Sequence, residues 1–226
     1  MNSMTASILR QYTSIVAALL YRLSHHPVLT AIPTAVLVGA LSGCSRPLPL
    51  AEYQAYVSDP AHGLTHSREV NGAVVTCTYR PTPLLVEQDL AHISSTPFIL
   101  DSLAQAYAGK TYCALTLARD GGEIENATIT DPTDYQQTLT YLNSGIAADT
   151  YLTTSPRDSV PALASMYLRQ YGTTGHSTIL LVFDTSKLLP ERGFKITLLG
   201  QRLGLGTVRF PFAARDLDAL PELQID

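Results

Sequence analysis

The sequence predicts an α+β fold, a mainly antiparallel sheet with several short helices in a single domain. Three observations carry this expectation. Asn71-Gly72 stands between two strand-like runs, two Thr-Pro pairs each open a stretch of helical spacing, and the end of the chain is rich in alternating apolar residues.

Taken in order, residues 44–50 read as a tether, stiffened by Pro47 and Pro49, and residues 51–226 as the domain. Residues 51–57 can form a short helix, ended by Asp59-Pro60. The hairpin follows, 65–70 and 73–80 around Asn71-Gly72, which supplies the positive φ angles of a two-residue type I′ turn. Thr82-Pro83 and Thr96-Pro97 each set a capping hydroxyl before a proline at the first helical position. The first helix would bury Val86, Leu90 and Ile93, and the second Ile99, Leu103 and Ala106, with Gly109-Lys110 marking its end. A strand over 111–118 stops at Asp120-Gly121-Gly122, and a weaker one is expected over 125–130.

Asp131-Pro132-Thr133-Asp134 is a helix start with acid at the cap and in the first turn, and Tyr135, Leu139, Leu142 and Ile146 recur at helical spacing behind it. Residues 161–171 fit helix or strand, and an amphipathic strand is the preferred reading. Strands are expected over 176–184, 194–199 and 207–212, and a last helix over 215–220 before Pro221.

Motifs for chemistry are sparse. His62 and His66 are four apart, but Pro60 and Gly63 make a loop there, so no metal site is expected. His176, Ser177 and Asp184 make a triad on paper, yet no G-x-S-x-G elbow surrounds the serine. Gly200, Gly204 and Gly206 open a strand, where a phosphate loop would open a helix, so they read as turn residues. Glu123 and Glu125 read as solvent-facing residues of a strand edge. No cofactor motif is found.

Cys77 and Cys113, both in strand-like runs, are placed on inward faces by alternation. A disulfide between them would close a loop of 36 residues and contribute about 4 kcal/mol in the chain-entropy model. Two buried thiols acting as small apolar side chains are the alternative.

The run Leu41-Ser42-Gly43-Cys44 closes an apolar stretch, 28–41, that follows a leader whose charged residues are Arg10 and Arg22. It resembles the lipobox of bacterial lipoproteins. The resemblance implies a diacylglycerol on the Cys44 thiol and removal of residues 1–43 as a signal peptide. A membrane-spanning helix needs about 20 apolar residues, and this stretch is shorter and holds Pro33. Without the leader, 13 basic residues face 19 acidic ones, a net charge near −6, which gives no footprint for nucleic acid. It also gives no basic cluster for anionic lipid, so acyl chains would do the anchoring.

Gly206-Thr207-Val208-Arg209-Phe210-Pro211-Phe212, followed by Asp216-Leu217 and Leu220-Pro221-Glu222-Leu223, resembles the C-terminal pattern of small, uncharacterised lipoproteins of Bacteroidetes-type bacteria. Tyr56-Val57, Asp59-Pro60 and Gly63-Leu64 share that resemblance. It implies an envelope location and carries over no catalytic residue. Asp101-Ser102-Leu103 and Asp158-Ser159-Val160 resemble the O-glycosylation triplets of such bacteria, and Ser159, between Pro156 and Pro161, is the better candidate. Ser45, with the first acid at Glu52, implies an outer-membrane anchor facing the periplasm. The expected function is a non-enzymatic binding or assembly module with an envelope protein partner. A carrier of a small apolar ligand, or a hydrolase whose site is assembled from distant residues, are the alternatives.

Overall fold

Asn71 and Gly72 adopt φ of 50° and 74°, and this turn folds β1 (Thr65–Val70) onto β2 (Ala73–Arg80) in the register the sequence predicts, Val70 opposite Ala73. Asp120 and Gly121 repeat the device at φ 52° and 73°, folding β4 (Gly122–Glu123) back on β3 (Lys110–Arg119). The computed structural model describes residues 46–90, 97–155 and 158–224. The expectations at Cys44, Ile93, Thr96 and the leader lie outside the described residues.

Two antiparallel sheets result. The larger runs β1-β2-β3-β8-β7, with β8 at Ser177–Asp184, β7 at Ala164–Leu168, and β4 beside the end of β3. The smaller runs β10-β9-β5-β6, with β5 at Thr150–Ser155, β6 at Asp158–Pro161, β9 at Gly193–Leu199 and β10 at Thr207–Ala213. Alternation sends Val75, Cys77, Leu115, Leu117, Ile179, Leu181 and Phe183 of the larger sheet into one core with Leu152, Phe194, Ile196, Leu198, Phe210 and Phe212 of the smaller. The fold is a single α+β domain.

Five α-helices complete the described residues: α1 (Leu50–Ser58), α2 (Thr82–Leu90), α3 (Pro97–Tyr107), α4 (Pro132–Thr140) and α5 (Ala214–Asp218). Asp131 caps α4, its Oδ1 accepting from the N–H groups of Thr133 at 2.8 Å and Asp134 at 3.2 Å. Leu139, Leu142 and Ile146 enter the core at the expected spacing, but the helix widens into a π-turn at Tyr141–Gly145, where the Ile146 N–H reaches back to Tyr141 O. Three expectations are corrected. Thr82 is inside α2, because Pro81 O already accepts from the N–H of Leu84. The tether is shorter, because Leu48 bridges Leu223 and α1 begins at Leu50. The strand over 125–130 is a 3-10 turn, Ile124–Thr128. Glu123, Ile124 and Glu125 are buried in succession, which the two-residue period of a strand does not allow.

Cys77 lies opposite Leu115 and Cys113 opposite Tyr79, so the two cysteines are diagonal neighbours on the inner face, as buried thiols. Burial, and then the hydrogen bond with Cys77, push the Cys113 thiol up. Neither thiol is expected to react with iodoacetamide in the native protein, and both should react once urea unfolds it, counted on the peptides that carry them. Continued silence until reductant is added would establish the disulfide instead.

Candidate functional site

The larger sheet has an inner face sealed in the core and an outer face that is not. Its outer rows run Thr76-Thr116-Thr178-Leu168 and Thr78-Ala114-Leu180-Met166 across four strands, and all but the exposed Met166 are half-buried. Val74 and Met166 are exposed near opposite borders of the face. The helical pair α2–α3, which joins β2 to β3, meets this face at its Arg80–Tyr112 end, where Tyr107 packs edge-on against Tyr112. The two rows across β2, β3, β8 and β7 thus carry no charge.

Its border, β7, is held from beneath by a buried polar cluster. Glu125 is 1% exposed, and its two carboxylate oxygens accept from the hydroxyls of Tyr167 on β7 and Ser177 on β8. Ser177 Oγ in turn accepts from the N–H of Ile124 at 3.0 Å, fixing the 3-10 turn on the sheet. Glu123, also buried, accepts from the N–H of Gly172 at 2.9 Å and ties down the loop after β7. Burial, and then the hydrogen bond to Glu125, push the Tyr167 hydroxyl well up, so it remains a donor. Above this base, Arg169 donates to the Tyr135 hydroxyl at 2.8 Å and stacks over the ring of Tyr171, 4.7 Å from its centroid. Leu163, Met166 and Tyr171 remain more than half exposed along the border. A sheet edge so fixed can add a strand without reorganising first.

A groove of about 920 Å³ runs along α4 and the π-turn, lined by Gln136, Gln137, Thr140, Tyr141, Asp149 and Arg202 among others. Tyr141 donates its hydroxyl to Asp149 Oδ2 at 3.0 Å, and Gly145 lets the chain press against the Tyr141 ring. Its lining is mixed, with Pro132 and Ala148 beside the amides and hydroxyls of Gln136, Gln137 and Thr140.

The sequence-singled residues scatter. His62 stacks on Tyr56, centroids 3.6 Å apart, while His66 faces Phe212 from β1, so the two histidines do not converge. Ser177 and Asp184 stand at opposite ends of β8, and Ser177 is engaged by Glu125. Among the described residues no cluster of His, Cys, Asp or Glu is arranged for a metal. Ser159 is exposed, but on edge strand β6 and not in a loop, and its Oγ accepts from the Thr153 hydroxyl at 3.2 Å. Ser102 lies on α3, as expected. The solvent-facing reading of Glu123 and Glu125 is overturned. The partners that draw Glu125 inward are 42 and 52 residues away, so nothing in its local sequence announces them.

No protein-family model matches the chain, and no curated protein matches it. A solved structure of a protein described as of unknown function, from Burkholderia pseudomallei, is similar at 13% identity over 77% of this chain and 94% of its own, with a TM-score of 0.35. A likeness at that level carries no argument.

Proposed function

We propose that this chain is a lipid-anchored module of the cell envelope, non-enzymatic, on which another envelope protein docks. The observation that carries the docking is the open outer face of the larger sheet, bordered by a strand fixed from below. The lipobox-like Leu41-Ser42-Gly43-Cys44 supports the anchor, and the residues after it support an outer membrane location facing the periplasm. Each buried acyl CH₂ contributes about 0.8 kcal/mol, so two or three chains hold a protein of net negative charge that no basic patch would hold.

The test is mild cross-linking in native membranes followed by capture of the tagged chain. Cys44→Ala should move the protein from the membrane fraction to the soluble one and lose the partner. Leu180→Lys, which places a charge in the middle of the open face, should keep the membrane fraction and lose the partner by at least tenfold. Capture that survives Leu180→Lys would remove the face from the proposal, and Cys44→Ala that stays on membranes would remove the anchor.

A further inference from the structure

Besides the two-residue β4, four strands border the two sheets among the described residues, and three of them carry residues that discourage a further strand. β1 holds His66, Arg68 and Glu69, β10 holds Arg209 and Pro211, and β6 holds Asp158 and Pro161. Charge and proline on an edge are the usual protection against unwanted pairing. β7 has neither: it reads Ala164-Ser165-Met166-Tyr167-Leu168, and among the described residues it pairs with β8 alone. The chain passes from one sheet to the other between neighbouring residues just before it. The Ala162 N–H donates to Thr150 O in the smaller sheet, and that of Leu163 donates to Val182 O in the larger. The unguarded strand therefore begins at a fixed corner and is locked by Glu125 behind it.

We infer that β7 is the pairing edge for a second copy of this chain, joined antiparallel about a two-fold axis at Met166. That arrangement sets Met166 against Met166 of the second copy, with Ser165 opposite Tyr167 and Ala164 opposite Leu168. No charge meets a like charge, because the strand carries none. The same operation brings exposed Leu163 of each copy beside the Arg169 stem of the other and covers both Met166 side chains. The outer rows then continue through both copies as one sheet with its open face doubled. A five-residue strand gives a small interface, below the usual size of a stable soluble dimer. Confinement of both copies to one membrane raises their effective concentration and makes so small an edge sufficient. The inference rests on the proposed membrane anchor, and it can fail while the anchor and the docking face stand.

The experiment uses the full-length chain in membranes. Met166→Cys, under mild oxidation, should give a disulfide-linked dimer on a non-reducing gel at least tenfold more efficiently than Leu189→Cys, an exposed position away from the edge. Ala164→Glu, at an exposed position of the same strand, in the Met166→Cys background should abolish the dimer. Thermal melts of both variants should match the parent, which separates loss of pairing from loss of fold. Equal dimer from the two cysteine positions would overturn the inference. So would cross-linking of Met166→Cys to a different protein, a result that would leave the docking proposal standing.

Discussion

Glu125→Ala is expected to lower the melting temperature by on the order of 10 °C. The carboxylate is the common acceptor for the hydroxyls of Tyr167 and Ser177, and its removal leaves two buried donors with nothing to bond. Each orphaned group costs about 1–3 kcal/mol, and the desolvation penalty relieved by deleting the carboxylate offsets part of that, for a net loss of about 3 kcal/mol. The loss should be local in character as well. Tyr167 is the residue that pins β7, so amide hydrogen exchange over 164–168 should accelerate before that of β2 and β3. The triple change Glu125→Leu, Tyr167→Phe, Ser177→Ala removes both hydroxyl donors and their acceptor and should recover part of the stability, short of the cost of the buried Ile124 N–H that loses Ser177 Oγ. Urea and thermal unfolding measure both, and a single variant within about 1 kcal/mol of the parent would show that the cluster is not what holds the edge.

Gly193→Ala is expected to cost about 3 kcal/mol, read as a lower urea midpoint at unchanged slope. Gly193 opens β9 at φ 90° and ψ 155°, a region open essentially to glycine alone. An added Cβ would fall 2.9 Å from Phe212 O and 3.0 Å from Ala214 N, backbone atoms at the end of β10 and the start of α5. They can yield only by moving β10 off β9, where Phe194 and Phe212 stack with centroids 4.8 Å apart. Gly72→Ala is the matched control: its φ is also positive, at 74°, but a Cβ there meets open space. That variant should lose only the cost of the backbone conformation, about 1 kcal/mol. If the two cost the same, the close approach of β10 contributes nothing.

Most of the fold was legible because local chemistry determines it. Asn71-Gly72 can hardly be anything but a tight turn, and Asp131 capping α4 follows from a carboxylate placed two and three residues before unpaired N–H groups. The alternation in Val75-Thr76-Cys77 and Cys113-Ala114-Leu115 sufficed to place both cysteines inward. What local chemistry does not determine was misread. Glu125 is a charged residue in a polar stretch, and only Tyr167 and Ser177, brought by distant strands, make its burial tolerable. The open face was equally invisible. Thr76, Thr116 and Thr178 have the same alternating pattern whether a helix covers them or solvent does, and the order of strands across the sheet is not written in any one of them.

Four residues beyond the expected lipidation point, Leu48 is clasped to the far end of the chain. Its N–H donates to Glu222 O and its carbonyl accepts from the Gln224 N–H, both at 2.8 Å, with the two segments running parallel. If the chain hangs from a bilayer by Cys44, as proposed, this clasp becomes a mechanical element. With the anchor proposed at Cys44, tension along the first residues would reach these two hydrogen bonds before it reached α1. Immediately behind are α1 and the side chains of Tyr53 and Val57, packed with Leu64 and Leu84. A tug on a chain anchored as proposed would therefore meet the C-terminal segment before it reached the hydrophobic interior.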